Sequence, residues 1–148
     1  MYFELVEIPF KKGLVIVIPV WLYPHNSISK PKLFKAILDT GATSTHISEA
    51  FLNQMGYSSA KFTKDQSPSL SINGQYYADL CKAQQLNFCG VNFNKFTVKV
   101  WNPPTKHHVE GVIGMDLLSY FNISINMDTQ KVIIKRSQST NALAQKST

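Results

Sequence analysis

The residue that most clearly offers chemistry is Asp39, which ends an apolar run in the stretch A-I-L-D-T-G-A-T-S-T-H-I-S, residues 36–48. A carboxylate at the end of a buried run is unfavourable unless something compensates it. Thr40 and Gly41 break the strand directly after the acid. Because a carboxyl group held at such a turn can give or take a proton, the stretch predicts an acid–base site.

A β-hairpin is the second feature with a possible role at this site. Residues 69–80, SLSINGQYYADL, contain Asn73-Gly74 between two alternating runs, which is the strongest short-range hairpin signal. Pairing around a two-residue turn at Asn73-Gly74 sets Leu70 opposite Tyr77. The apolar side chains that would then share one face, which we expect to look towards the site, are Leu70, Ile72 and Tyr77. The alternative is an ordinary hairpin of the core.

A second motif, V-I-G-M-D-L-L at residues 112–118, follows the first by about seventy residues. D-T-G-A after an apolar strand, combined with two apolar residues, glycine and then aspartate at this distance, resembles the retropepsin-like aspartic proteases. The likeness is greatest to the gag-polyprotein protease-like members. The helix-like ISEAFLNQMG and the hairpin-like ISINMDTQKVII resemble the same family, so the resemblance extends over roughly residues 14–135.

The resemblance implies an aspartic endopeptidase that acts on a peptide or protein substrate without metal or cofactor. Peptide hydrolysis needs a base to activate water and an acid for the leaving nitrogen, and two carboxylates that share a proton supply both. Because the chain carries one D-T-G motif, the second carboxylate should be Asp39 of another copy in a homodimer. The implied active-site loop is Thr40, Gly41 and Ala42. The residues implied to support this loop are Val112, Ile113, Gly114 and Asp116. The implied flap, a hairpin that closes over the substrate, includes Leu70, Ile72, Asn73, Gly74 and Tyr77.

The elements that position these residues are predicted to be mostly β, forming a closed or folded-over barrel with two short helices. Strands are expected at 14–22, 32–38, 86–88, 96–101 and 109–113, with a last hairpin at 123–134 that is a candidate dimer interface. Ser48 is expected to cap a helix that ends before Gly56, and Asp116 a second one. The expected domain layout is an N-terminal extension at 1–13, the protease domain at 14–136 and a disordered tail at 137–148.

Composition argues against several other classes of function. The chain has 148 residues, enough for one domain, and its net charge of +6 is spread along the sequence rather than clustered, so no nucleic-acid partner is expected. The apolar run 14–23 is too short to span a membrane and lacks a cleavage site, so we expect a cytoplasmic protein without a membrane partner.

Two rival readings come from other classes of protein. The first is a catalytically silent domain that keeps the fold as a peptide-binding or dimerisation module. The second is a zinc-dependent protein that uses Cys81, Cys89, His107 and His108, although their spacing matches no usual ligand pattern. His46, which follows the D-T-G turn, is interpreted as a structural residue.

Overall fold

Strands dominate the structure, a computed structural model that describes residues 5–26, 28–71, 74–103 and 108–137. This confirms the predicted mostly-β class with two short α-helices. In chain order the elements are β1 Leu5–Pro9, β2 Val17–Leu22, β3 Lys32–Leu38, β4 His46–Ser48, α1 Glu49–Gln54, β5 Thr63–Lys64, β6 Ser69–Ser71, β7 Gly74–Tyr76, β8 Asp79–Phe88, β9 Val91–Trp101, β10 Gly111–Ile113, α2 Met115–Leu118, β11 Phe121–Asn126 and β12 Lys131–Arg136.

The main sheet closes into a barrel, as predicted. Its strands run in the order β2-β3-β10-β4-β9-β8-β5, and the first six close into the barrel because β8 also pairs with β2 through Trp21↔Asn87 and Leu22↔Leu86. β2 shows the alternation that a barrel strand requires, because Ile18, Val20 and Leu22 are fully buried while the residues between them are exposed. Closure removes the free edges that would otherwise template aggregation.

β10 holds the two sequence motifs together at one place in the barrel. It lies between β3, which it pairs with in parallel, and β4, which it pairs with antiparallel. Since β3 leads into Asp39 and β4 follows the same loop, both strands that flank the D-T-G turn are fixed by the strand of the second motif. A parallel pair brings the ends of β3 and β10 to the same edge, so Asp39 and Gly114 leave the barrel together.

A second sheet of three strands in the order β1-β12-β11 packs on the barrel, and the predicted domain layout stays a prediction. The boundary drawn at residue 13 would separate β1 from its partner, because Leu5 to Pro9 pair antiparallel with Lys135 to Lys131. The Phe10 amide also donates to the carbonyl of Gln130 at 2.9 Å. The predicted hairpin at 123–134 is confirmed as β11 and β12, whereas residues 138–148 of the predicted tail lie outside the described residues.

Several element boundaries differ from the prediction. The first barrel strand begins at Val17 rather than Leu14, because Leu14 and Val15 are exposed before it. The stretch 79–88 is one long strand, so the strand predicted at 86–88 is only its end. It turns into β9 at Cys89-Gly90, where both residues have positive φ, as a two-residue hairpin turn requires. Residues 58–68, which follow the first helix and have no predicted strand, contain a 3₁₀ turn and β5.

The first helix follows its sequence signals closely. The Ser48 hydroxyl accepts a hydrogen bond from the Phe51 amide at 3.1 Å, and Gly56 adopts a φ of +87° just after the helix. These are the N-cap and C′ positions that serine and glycine favour. Among the described residues, no helix is both long and apolar enough to cross a membrane.

Candidate active site

Asp39 lies in a tight turn at the end of β3. Its amide donates to the Ile113 carbonyl at 3.0 Å, and its own carbonyl accepts from the Ala42 amide at 3.2 Å. The Gly41 amide donates to Oδ1 of the Asp39 carboxylate at 2.8 Å. Asp39 and Ala42 are half-buried while Thr40 and Gly41 are exposed, so the turn presents the carboxylate at an accessible edge of the barrel.

Glycine at position 41 fits the close approach of this turn. A Cβ built there would lie 3.2 Å from Oδ1 of Asp39, tighter than an ordinary van der Waals contact. The turn therefore has room for the amide that binds the carboxylate but little room for a side chain beside it.

Asp116 binds the loop that follows Asp39 through hydrogen bonds to Thr45. Its Oδ2 accepts from the Thr45 amide at 2.9 Å and its Oδ1 from the Thr45 hydroxyl at 2.7 Å. That hydroxyl also accepts from the Gly114 amide at 3.2 Å, and Thr45 is fully buried. The prediction that Asp116 caps the second helix is wrong, because Gly114 is the N-cap of α2 and the carboxylate binds the loop instead.

The start of α2 also holds the loop by its backbone. The Met115 amide donates to the Ala42 carbonyl at 2.8 Å and the Asp116 amide to the Thr43 carbonyl at 3.1 Å. Helix-terminal amides need such external acceptors. The supporting role predicted for Val112, Ile113, Gly114 and Asp116 stays a prediction, and these contacts favour it.

Replacing Asp116 by alanine is expected to destabilise the protein by about 3 kcal/mol, because it leaves the buried amide and hydroxyl of Thr45 without acceptors. Urea unfolding would measure the change. Asp116→Asn is the matched variant, since its amide oxygen can still accept from one of the two donors, and it should cost clearly less. Equal losses for the two variants would contradict this account.

The hairpin after β5 has a different register from the predicted one. Leu70 pairs with Gln75 and Ser71 with Gly74, so the pairing predicted between Leu70 and Tyr77 is wrong. The two residues that join β6 to β7 are Ile72 and Asn73, which lie outside the described residues. Gly74, predicted as the second turn residue, is instead the first residue of β7 and has a φ of +115°.

The face of this hairpin that contacts the barrel is the polar one. Ser69 is only 9% exposed, and the Tyr76 hydroxyl lies 3.4 Å from Nε2 of His46. Leu70 and Tyr77, expected to look towards the site, are 80% and 58% exposed. In the single chain, the face that carries Ser69 and Tyr76 thus contacts the barrel. Substrate contact by Leu70 and Tyr77 stays a prediction.

His46 lies on β4 between the loop that follows Asp39 and the hairpin, and the sequence analysis interpreted it as a structural residue. Its Nδ1 is 2.9 Å from the Ser44 carbonyl oxygen, which can only accept. Burial lowers the pKa of His46 below its ordinary value, and the nearby Lys99 acts in the same direction, while the Ser44 carbonyl and the carboxylates of Asp116 and Asp39 oppose the change. Its position seven residues after Asp39 was the one signal that could have pointed to it.

The residues proposed for a zinc site do not form one in the described part of the chain. No group of three or more His, Cys, Asp or Glu side chains placed to hold a metal ion occurs there. Burial raises the pKa of the Cys81 thiol to about 11 and that of Cys89 to about 12, so both stay protonated near neutral pH. His107 lies outside the described residues.

Comparison with known proteins places both motifs in one family. The model of the family described as "gag-polyprotein putative aspartyl protease" matches residues 27–120, a span that includes Asp39 and Asp116. A sequence search of curated proteins found no match.

Solved structures share the fold over most of the chain. A retropepsin-like aspartic protease from Rickettsia conorii superposes with a TM-score of 0.65 at 20% identity, covering 92% of this chain and 97% of the other. EIAV protease in complex with the inhibitor HBY-793 gives a TM-score of 0.55 at 16% identity, covering 76% and 92%. These similarities confirm the predicted retropepsin-like fold.

Proposed function

The chain belongs to the gag-polyprotein aspartyl protease family and has its retropepsin-like fold, and on that premise we propose that it is an aspartic endopeptidase whose catalytic group is Asp39. The observation that carries the proposal is the geometry of the Asp39 carboxylate. It lies at an accessible edge of the barrel, and within the described part of the chain only the Gly41 amide hydrogen bonds to it. One carboxylate oxygen is therefore available for water or substrate.

The second carboxylate is proposed to come from another copy of the chain. Asp116 is the acid of the second motif, but both of its oxygens accept hydrogen bonds from Thr45. A second Asp39 brought up by two-fold symmetry would complete the pair, since an isologous dimer places the same residue of each subunit at its axis.

Such a pair would supply both proton transfers that peptide hydrolysis needs. Two close carboxylates cannot both ionise cheaply, so they share one proton and titrate as a unit. The ionised member removes a proton from a water that attacks the peptide carbonyl carbon. The protonated member gives its proton to the leaving nitrogen as the carbon–nitrogen bond breaks. The Gly41 amide keeps the carboxylate oriented for both steps.

We place the dimer contact on the three-stranded sheet that contains the last hairpin. β11 is at the edge of this sheet, so its outer backbone groups are open to a further strand within the described structure. Ile125 and Met127, at the end of β11 and just beyond it, are 39% and 63% exposed. Open edges with apolar side chains favour strand pairing with another chain. β1 belongs to the same sheet, so we extend the proposed protease domain to include it.

The substrate proposed is an extended peptide that lies between the active-site loop and the hairpin β6–β7. An extended peptide can add to such strands through main-chain hydrogen bonds, with side-chain pockets supplying specificity. The small Ala42 beside Asp39 leaves space for a substrate backbone.

The test is cleavage of a mixed peptide library between pH 4 and pH 8, over a range of protein concentrations, with the dimer measured in parallel by sedimentation. We expect specific cuts, and an activity per chain that rises with concentration as the dimer forms. Cuts that the Asp39→Asn variant makes equally well would contradict the assignment. A folded dimer that makes no cut would favour the silent peptide-binding module instead.

A further inference from the structure

Two cross-strand residue pairs, one on the hairpin and one on the barrel, face each other where the hairpin β6–β7 contacts the barrel. On the hairpin, Ser69 pairs across the strands with Tyr76. On the barrel, His46 of β4 pairs with Lys99 of β9. The Tyr76 hydroxyl is 3.4 Å from Nε2 of His46, at the long end of hydrogen-bond distances, and Nζ of Lys99 is 2.5 Å from Oγ of Ser69. Each member of one pair thus contacts one member of the other.

Lys99 connects the base of the hairpin to the active-site loop. Its ammonium group, on a side chain only 15% exposed, also lies 3.7 Å from the carboxylate of Asp65. Asp65 precedes β6, and its amide donates to the carbonyl of Ala78, which follows β7. The Lys99 amide donates to the Thr45 carbonyl at 2.9 Å. One lysine therefore joins both ends of the hairpin to the loop that continues from Asp39.

We propose that His46 and Lys99 are positioning residues that dock the hairpin β6–β7 onto the barrel through Tyr76 and Ser69, and that protonation of His46 loosens this docking. The inference rests on the proposed function, because it assigns the hairpin the role of a cover over the Asp39 site. It goes further in assigning two residues of the barrel wall to the control of that cover.

The hydrogen bonds of His46 define how it takes part. Because the Ser44 carbonyl can only accept, Nδ1 carries the hydrogen, and in the neutral ring Nε2 is left to accept from the Tyr76 hydroxyl. Lys99 on β9, Asp116 on α2, Asp39 on the loop and Tyr76 on the hairpin are the charged or titratable groups that face the ring. β10 places Val112 opposite His46 and has no titratable side chain.

The sign of the pH effect follows from burial of the ring. Desolvation keeps the pKa of His46 below its ordinary value of about 6.5, so the ring is neutral at pH 7 and takes up a proton only in acid. The hairpin helps to cover the ring, so the docked form should bind that proton less readily than the undocked form. By linkage, protonation then favours undocking. Protonation also reverses the direction of the hydrogen bond, because Nε2 must then donate to the Tyr76 hydroxyl oxygen, and it adds a positive charge beside Lys99.

Hydrogen exchange of the described β6 and β7 amides tests this proposal without any cleavage reaction. Protection factors, which are corrected for the intrinsic pH dependence of exchange, are measured at pH 7.5 and pH 5 in the full-length wild-type chain. We expect protection to fall about 2- to 10-fold between the two pH values, the range for one hydrogen bond. The Tyr76→Phe variant should have low protection at both pH values. The His46→Gln variant, whose amide oxygen can still accept but does not titrate, should lose the pH dependence.

Matched controls make the result specific. His25→Gln removes an exposed histidine beside Tyr57 and should keep the pH dependence of the parent chain. Lys99→Met keeps the length of the side chain but loses its contacts to Ser69 and Asp65, so it should lower protection at both pH values. Protection that does not change with pH in the parent, or a fall that persists in His46→Gln, would overturn the proposal.

The outcome is separable from that of the proposed function. A protein that cleaves peptides but shows no pH-dependent protection would keep the protease assignment and lose the docking switch. A protein with pH-dependent docking but no cleavage in its wild-type form would keep the switch and lose the protease assignment. If both hold, His46→Gln should alter the pH dependence of KM more than that of kcat.

Discussion

Replacing Asp39 by asparagine is expected to lower kcat/KM for peptide cleavage by about 10⁴-fold or more, because the variant can no longer accept a proton from water or share one across the pair. The asparagine oxygen can still accept from the Gly41 amide, so the turn at the end of β3 should keep its geometry. Thermal unfolding should therefore change little. The measurement is kcat/KM on a substrate from the library, with the melting temperature of both proteins.

The Glu49→Gln variant is the control for removal of one carboxylate. Glu49 lies on α1 and accepts from the Ser59 hydroxyl, a contact that glutamine can also make, so activity should stay at the wild-type level. A variant at Asp39 that retained more than about a tenth of the activity would be incompatible with a role in proton transfer.

Mixing the two proteins tests whether the site is shared between chains. After subunit exchange at equal amounts, about half of the wild-type chains should sit in mixed dimers with one Asp39 carboxylate, so activity per wild-type chain should fall to about half. A tenfold excess of the variant should leave about a tenth. Activity that depends only on the amount of wild-type chain would mean that each chain carries a complete site.

Where local chemistry decides the structure, the sequence was sufficient. Ser48 and Gly56 mark the ends of α1 because a hydroxyl that caps an amide and a residue that accepts positive φ are local requirements. β3 was predicted from Lys32 to Leu38 with both ends correct, because an apolar run is stopped there by the D-T-G turn. The closed barrel and the family followed from two motifs at a characteristic distance.

The register of the hairpin β6–β7 could not be obtained in the same way. Alternation of side chains has a period of two, so a shift of the pairing by two residues leaves every side chain on its original face. A turn at Asn73-Gly74 favoured the register that pairs Leu70 with Tyr77. The observed register instead pairs Ser69 with Tyr76. It brings Ser69 into contact with Lys99 and Tyr76 into contact with His46. These partners come from distant parts of the chain, so the tertiary contacts outweigh the local turn preference.

The role of Asp116 was only partly predictable for a related reason. Aspartate near the start of a helix is typical of an N-cap, but the carboxylate accepts hydrogen bonds from Thr45, which lies 71 residues away in sequence.

β1 was not predicted because an edge strand of five residues has only a weak alternating pattern, with half-buried Val6 and Ile8 between exposed neighbours. Its pairing with β12 depends on residues at the other end of the chain.

A single methyl group at Gly114 should do more structural damage than one at Gly13 or Gly41. A Cβ built there would lie 2.6 Å from the carbonyl oxygen of Ser44 and 2.9 Å from that of Ala42. Both atoms belong to the backbone of the loop that follows Asp39, so no side chain can turn away to relieve the clash. The loop would have to move, although the amides of Met115 and Asp116 hold it by its carbonyl groups.

Gly114→Ala is therefore expected to reduce the free energy of unfolding by about 3 kcal/mol, the upper part of the range for overpacking. The remaining folded protein should lose about 10²-fold in kcat/KM, since a displacement of about 1 Å at a catalytic group has effects of that size. Urea unfolding and cleavage kinetics measure the two quantities. Gly13→Ala is the control, because its Cβ would meet nothing within 4 Å and only the φ of +81° opposes it, at about 1 kcal/mol.

Asp39→Asn and Gly114→Ala separate two effects at the same site, the loss of the carboxyl group and the displacement of the loop that holds it. Asp39→Asn should remove most of the activity and change stability little, because it alters only the group proposed to transfer protons. Gly114→Ala should reduce both, because the second motif acts on Asp39 through the loop that it touches. If Gly114→Ala kept wild-type stability and kcat/KM, the loop would have room for a methyl group, which would contradict the distance of 2.6 Å from that group to the Ser44 carbonyl oxygen. The second motif would then have no part in holding the carboxylate.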